Sequence, residues 1–92
     1  MLKLYKFELD YGRMGDLSGI FVADDKDIVE SRGKCVNFGE ALGKHSEVYI
    51  EDFSPETCLT ELTSDIEFIN KFLDFKCESG YNPLEYIDYE EV

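Results

Sequence analysis

The chain has 92 residues, with 21 acids against 9 bases and an aromatic content of 14%. That length sets one acidic domain, 1–92, whose core withdraws a little over ~60% of the unfolded chain's surface from water. The aromatic content excludes a disordered acidic tail, the shortage of Lys and Arg excludes direct nucleic-acid binding, and no run approaches the ~18 apolar residues of a membrane span.

Residues 2–11 alternate as a strand, with Tyr5, Phe7, Leu9 and Tyr11 on one face and Lys6, Glu8 and Asp10 on the other. Gly12-Arg13-Met14-Gly15-Asp16 reads as a turn, and Leu17 to Ala23 as a second strand apolar enough to be central. The short link between them predicts an antiparallel pair. Asp24 can cap a short helix over 25–32, because its carboxylate accepts free N–H groups of the first turn. Gly33 suits the left-handed position that ends it. Lys34 to Phe38 reads as a third strand, Gly39 to Gly43 as a break, and Glu47 to Asp52 as a fourth strand.

Ser54-Pro55-Glu56 reads as a turn or one helical turn with Pro at its first position. Leu59 to Thr63 reads as a short fifth strand. Ser64-Asp65-Ile66-Glu67 has the form of a capping box, and the helix it opens spans about 65–77. Ile66, Ile69 and Leu73, widened by Phe68 and Phe72, are expected to be core. Gly80 is the expected stop and Asn82-Pro83 a turn. Leu84 to Glu91 mixes aromatics with acids and fits either a short helix or an edge strand. The sum is an α+β domain: a small, mostly antiparallel sheet of four to five strands with one main helix packed on it.

The N-terminus MLKLYKFELD alternates in polarity and lacks an apolar h-region, so no secretion signal is expected. Cys35, Cys58 and Cys77 are odd in number and widely spaced, as expected of reduced thiols in a cytoplasmic compartment. Negative charge also disfavours contact with anionic lipid surfaces.

Charge is unevenly placed. Residues 1–45 hold eight acids and seven bases, whereas residues 46–92 hold thirteen acids and only Lys71 and Lys76. Like charges repel in a compact state, so such an excess calls for an offset or a use. Glu8 and Asp10 share a strand face at about 6.6–6.8 Å, and Glu47 and Glu51 flank Tyr49 on one face at the same repeat. Asp24, Asp27 and Glu30 are successive i, i+3 neighbours, about 5–6 Å apart at Cβ. A duplex presents one charge per ~3.4 Å of axis on each strand. Ordered carboxylates at these spacings therefore imitate a row of phosphates. The residues assigned to such a face are Glu47, Glu51, Asp52, Glu56, Glu61, Asp65, Glu85, Asp88, Glu90 and Glu91, with Tyr49, Tyr81, Tyr86 and Tyr89 adding contact area. The expected partner is a basic protein surface, such as the DNA groove of a nuclease or DNA-binding protein.

Other chemistry is poorly supported. Gly39 to Ser46 departs from the phosphate-binding loop, which needs four residues between its glycines and Ser or Thr directly after the Lys. His45, Ser46 and Glu47 are consecutive, which is poor geometry for a triad. Asp24-Asp25-Lys26-Asp27 lacks the spacing of a calcium loop. No catalytic residue, metal or cofactor is expected. Two alternatives stay open. One is an interaction module that docks a partner through Tyr81, Tyr86 and Tyr89, with the acids serving solubility. The other is a small enzyme using Cys35 or His45.

The size, the acidity, the Lys/Ile/Asn/Phe/Tyr usage and the tail Gly80-Tyr81-Asn82-Pro83-Leu84-Glu85-Tyr86-Ile87 resemble the small early proteins of large tailed phages. Among these the chain is most similar to the T4-type anti-restriction DNA mimics (Arn-like). That resemblance implies inhibition of a modification-dependent restriction nuclease of the McrBC type by occupation of its DNA-binding surface, in the host cytoplasm, by a protein that can form a homodimer.

Overall fold

The computed structural model describes residues 1–43 and 47–87. β1 (Leu2–Asp10) and β2 (Asp16–Asp24) form an antiparallel hairpin whose register runs from Leu2 opposite Asp24 to Asp10 opposite Asp16. Its connection holds a 3₁₀ turn, Gly12–Met14. α1 (Asp25–Ser31) follows, then β3 (Val36–Gly39), β4 (Val48–Ile50), the single-turn helix α2 (Pro55–Cys58) and β5 (Leu59–Thr63). The chain continues through α3 (Ile66–Asp74) and β6 (Ser79–Gly80) to a second 3₁₀ turn, Pro83–Tyr86.

Four strands make an antiparallel sheet in the order β5-β1-β2-β6, the α+β arrangement predicted above. β3 and β4 pair with each other and form a ribbon separate from that sheet. The reason is burial on one face. Tyr5, Phe7, Leu17, Phe21 and Ala23 line one side of the sheet, and Val36, Phe38 and Val48 of the ribbon close over them with Ile28 and Phe53. Packing a second layer on that face removes more apolar surface from water than extending the sheet edge would. Phe7 and Phe38 stack across the layers with centroids 5.6 Å apart, and Tyr5 stacks on Phe21 at 5.8 Å. Phe7, Phe21 and Phe53 are fully buried; each contributes roughly 1.5–3 kcal/mol by its burial.

The strand β6, not foreseen from the sequence, crosses β2 at very short range. A Cβ built on Gly19 would lie 2.5 Å from the Tyr81 nitrogen, so only glycine fits there. Gly80 opposite it adopts a φ of +71° and leaves no more room. The Tyr81 N–H then donates to the Ser18 carbonyl at 2.9 Å. This crossing carries the C-terminal segment back onto the ribbon. The Phe38 ring meets Tyr81 edge-on at 5.6 Å and Tyr86 at 4.9 Å, Asn82 Oδ1 caps the turn by accepting the Leu84 N–H at 3.0 Å, and Ile87 bridges to Val36.

The N-caps of α1 and α3 can be traced to side chains. Asp24 Oδ1 accepts the Lys26 N–H at 2.9 Å, as predicted. At α3 the predicted Ser64 cap is replaced by Asp65, whose Oδ1 accepts the Glu67 N–H at 3.1 Å, while Thr63 Oγ1 accepts the Asp65 N–H at 3.0 Å. Asp and Ser are near-equal N-caps, so the register of the preceding strand decides which is used. α3 also ends earlier than predicted. The Cys77 N–H donates to the Phe72 carbonyl and the Lys76 N–H to the Leu73 carbonyl, with Lys76 at a φ of 55°. This is a Schellman ending with Lys76 in the position usually taken by glycine.

The predicted core stripe of α3 is largely exposed. Of its residues only Ile69 is fully buried; Phe72 is half-buried, and Ile66, Phe68 and Leu73 lie open to solvent. The helix lies over the second face of the sheet where that face is apolar, at Leu4 and Ile20. Further along, the same face presents Lys6, Glu8, Asp10, Asp16 and Ser18. Among the described residues no helix is long and apolar enough to cross a membrane.

Candidate functional site

The later acids assigned to a binding face divide into three groups. Glu47 and Glu51 are exposed and flank the two ends of β4, on either side of Tyr49, and Asp52 follows them in the link to α2. Glu85 is exposed on the second 3₁₀ turn. Among the described residues no base stands within ion-pair distance of these four. Pairing fixes the ribbon's outward face: Val36 and Val48 turn inward, so Tyr49 and its neighbour across the register, Asn37, turn outward.

Glu56, Glu61 and Asp65 are also exposed, but each is engaged inside the molecule. Glu56 pairs with Arg32 across the α1–α2 contact. Glu61 accepts from Lys3 Nζ at 2.9 Å, and Lys3 also approaches Asp25 at 4.0 Å. The hydrogen bond to Glu61 raises the pKa of Lys3 above its ordinary value. Asp65 is the α3 cap. These three are therefore weaker members of a binding face than their charge suggests. Asp88, Glu90 and Glu91 lie outside the described residues, as do Tyr89 and His45.

The first half of the chain contributes a cluster that the charge count by halves conceals. The hairpin register sets Asp10 directly opposite Asp16, with Glu8 two residues away on the same face. Like charges directly opposed on a sheet repel. Asp10 is held there because its Oδ1 accepts the Gly12 N–H at 2.9 Å, and Glu8 is offset by Lys6 at 3.7 Å. Glu8 and Asp10 are visible in the sequence as an i, i+2 pair. Extending the predicted hairpin by its register would have added Asp16.

At the other end of the hairpin, charges of both signs interlock. The N-terminal ammonium lies 3.3 Å from Asp24 and 3.4 Å from Asp25. The Asp24 carboxyl is held below the usual carboxylate range, chiefly by the backbone N–H of Lys26 and then by its neighbours Asp25 and the terminal amine. Chemistry elsewhere is muted. Cys35 Sγ donates to the Glu51 carbonyl at 3.5 Å, burial pushes the Cys58 thiol up, and Cys77 is exposed. A raised thiol pKa lowers the thiolate fraction and hence nucleophilicity. Among the described residues no three His, Cys, Asp or Glu side chains are grouped to hold a metal ion.

Tyr81 and Tyr86, the anchors of the alternative docking reading, lean on Phe38 and on each other at 5.9 Å. Their rings are part of the packing that fixes the C-terminal segment. Comparison with protein-family models, with curated proteins and with solved structures finds no match for this chain.

Proposed function

We propose that the protein is a DNA-mimic inhibitor: it occupies the basic DNA-binding surface of a nuclease or DNA-binding protein and carries out no catalytic step itself. The observation that supports this reading most is the outer side of the ribbon. Glu47, Glu51 and Asp52 flank the strand β4, exposed, with no base among the described residues in ion-pair distance of them. An extended chain advances about 3.3 Å per residue, so Glu47 and Glu51, with Tyr49 between them, are separated by at most about 13 Å along the backbone. That is the axial rise of about four phosphates on one strand of a duplex.

The mechanism follows from charge. A net of −12 steers the protein toward a positive groove and raises the association rate. On arrival, carboxylates take positions beside Lys and Arg that phosphates otherwise fill. Tyr49 supplies contact area at low entropic cost, having two side-chain torsions. The tyrosine-docking alternative draws less support, because Tyr81 and Tyr86 are committed to Phe38.

The resemblance to the phage anti-restriction proteins suggests the target for a direct test. Fluorescent duplex DNA is bound to a modification-dependent restriction nuclease of the McrBC type, and the protein is titrated in at several salt concentrations. The expected result is displacement whose midpoint rises steeply with salt, since exposed charges are screened within ~10 Å at 0.1 M. The variant Glu47→Gln, Glu51→Gln, Asp52→Asn, Glu85→Gln is expected to displace DNA at least about tenfold less well, a change worth ~1.4 kcal/mol. Salt-insensitive displacement, or full potency of that variant, refutes the mimicry. A target of another DNA-binding class is found by low-salt capture from lysate followed by elution with duplex DNA.

A further inference from the structure

Ser31 is the one polar side chain buried among the described residues, at 1% exposure. It is the last residue of α1, and its hydroxyl donates to the Ile28 carbonyl at 2.5 Å. Asp27, Glu30 and Ser31 stand at i, i+3 and i+4, the spacing of one helix face. All three line an open cavity of about 510 Å³ where α1 meets the C-terminal segment, and Lys34, Leu84 and Ile87 complete the lining. That volume lies within the ~300–1,000 Å³ of small-molecule sites. Leu84 and Ile87 are half-buried and packed against the core, Leu84 held by the Asn82 cap and Ile87 by its bridge to Val36. The backbone of Lys34 is fixed too: its N–H donates to the Ser31 carbonyl at 3.1 Å, and its carbonyl accepts the Phe53 N–H at 3.0 Å. Among the described residues Asp27, Glu30 and Lys34 enter no ion pair.

We propose that this cavity binds a free aliphatic amino acid. The chemistry of the lining selects it. The Ser31 proton is committed to Ile28, so the hydroxyl has only lone pairs left to offer. The carboxylates of Asp27 and Glu30 likewise only accept. Three acceptors on one helix face call for a ligand group with several donors, and a primary ammonium has three N–H bonds. Hydrogen bonds between such charged groups are the stronger kind. Lys34 repels a simple amine, so the ligand must also carry an anion, which a carboxylate supplies. Leu84 and Ile87 take its hydrocarbon side chain out of water. A calcium ion is disfavoured, because it needs six to eight oxygens and the Lys34 ammonium lines the same space. A phosphate is disfavoured by the two carboxylates. The cavity shares no residue with the carboxylates flanking β4, so it stands apart from the proposed DNA competition.

The test is an NMR titration of the isotope-labelled full chain with four small molecules, read at the backbone amides. Leucine is expected to shift the amides of Ser31, Lys34 and Leu84 and to saturate with a Kd of about 1 mM or below. Isoamylamine lacks the carboxylate, isocaproic acid lacks the ammonium, and glycine lacks the hydrocarbon. Each is expected to bind at least about tenfold more weakly than leucine. The double variant Asp27→Asn, Glu30→Gln replaces exposed side chains only, and its native spectrum confirms the fold. It is expected to lose leucine affinity at least about tenfold. Lys34→Gln is expected to weaken leucine while leaving isoamylamine as it was or tighter. Three results overturn the proposal. One is no shift at α1 or residues 82–87 with leucine at about ten times that Kd. Another is isoamylamine, isocaproic acid or glycine binding as tightly as leucine. The third is unchanged leucine affinity in the double variant.

Discussion

Replacing Gly19 by Ala adds one methyl group at the point where β6 crosses β2. That methyl would overlap the Tyr81 backbone, with the nitrogen only 2.5 Å away. Backbone cannot rotate aside as a side chain can, so β6 must lift. The first loss is the Tyr81 N–H to Ser18 carbonyl hydrogen bond at 2.9 Å, together with the Gly19–Gly80 and Ile20–Ser79 pairing. Two such bonds are worth about 1 kcal/mol each in net terms. The second loss is the seating of Tyr81 and Tyr86 on Phe38, at ~0.5–1.5 kcal/mol for each ring pair. The total is about 3–5 kcal/mol, a large part of the ~5–15 kcal/mol that stabilises a domain. In a chain of this size that lowers the melting temperature by roughly 12–40 °C. Urea unfolding followed by far-UV circular dichroism and tyrosine emission measures it, there being no Trp and six Tyr. Gly12→Ala is the control. Gly12 has a φ of +68° but open space around its Cβ position, so that change costs only the ~1–2 kcal/mol of a left-handed residue. A Gly19→Ala protein within about 0.5 kcal/mol of wild type, or no less stable than Gly12→Ala, refutes the close-crossing argument, 0.5 kcal/mol being the usual range of neutral surface changes.

Three further outcomes follow from the same packing and charges. Phe7→Ala is expected to cost about 3–5 kcal/mol in urea unfolding, since it empties a fully buried ring site stacked on Phe38, whereas Phe75→Ser, at an exposed helix end, stays within about 0.5 kcal/mol. Asp24→Asn keeps an N-cap acceptor but removes the charge. A carboxyl with a folded pKa below its unfolded one binds fewer protons when folded, so the stability it contributes is present above the unfolded pKa and lost as pH falls through the folded value. The gap between wild type and Asp24→Asn in urea midpoint is therefore expected to be present at neutral pH and to close in acid; a gap that persists unchanged in acid contradicts it. Lys76→Gly removes a side chain from the left-handed end of α3, and its melting temperature is expected to hold or rise while Lys76→Val falls, because strain relieved at φ > 0 offsets the extra freedom of unfolded glycine.

Much of the fold was readable because local signals agree with one another. The alternation in residues 2–11, the apolar run of 17–23 and the short turn between them fix the hairpin, and its register then sets Tyr5 beside Phe21. Asp24 works as a cap because capping needs only neighbouring residues. What escaped depends on distant partners. Whether β3 joins the sheet or forms a ribbon is decided by Val36 and Phe38 finding the Tyr5 and Phe7 face, which no local pattern encodes. β6 is two residues long, and its existence rests on Gly19 having no side chain. The acids show the same division. Glu47 and Glu51 could be assigned to one exposed face from period-2 alternation alone. That Glu56 and Glu61 are engaged by Arg32 and Lys3 required sequence separations of 24 and 58 residues to be closed by the fold.

The α3 stripe is the instructive failure, since its periodicity was read correctly and its burial was not. Periodicity reports how much apolar surface a helix offers; burial also requires an equal area opposite. Here six apolar side chains meet a sheet face that turns to Lys6, Glu8 and Asp10 past Leu4. A sequence that spends acids on half a sheet face and phenylalanines on the helix above the other half leaves two unlike surfaces on one small domain. The carboxylates that flank β4 act at long range, through charge. The exposed Phe68 and Phe75 act only at contact, because apolar burial has no reach beyond the first layer of water.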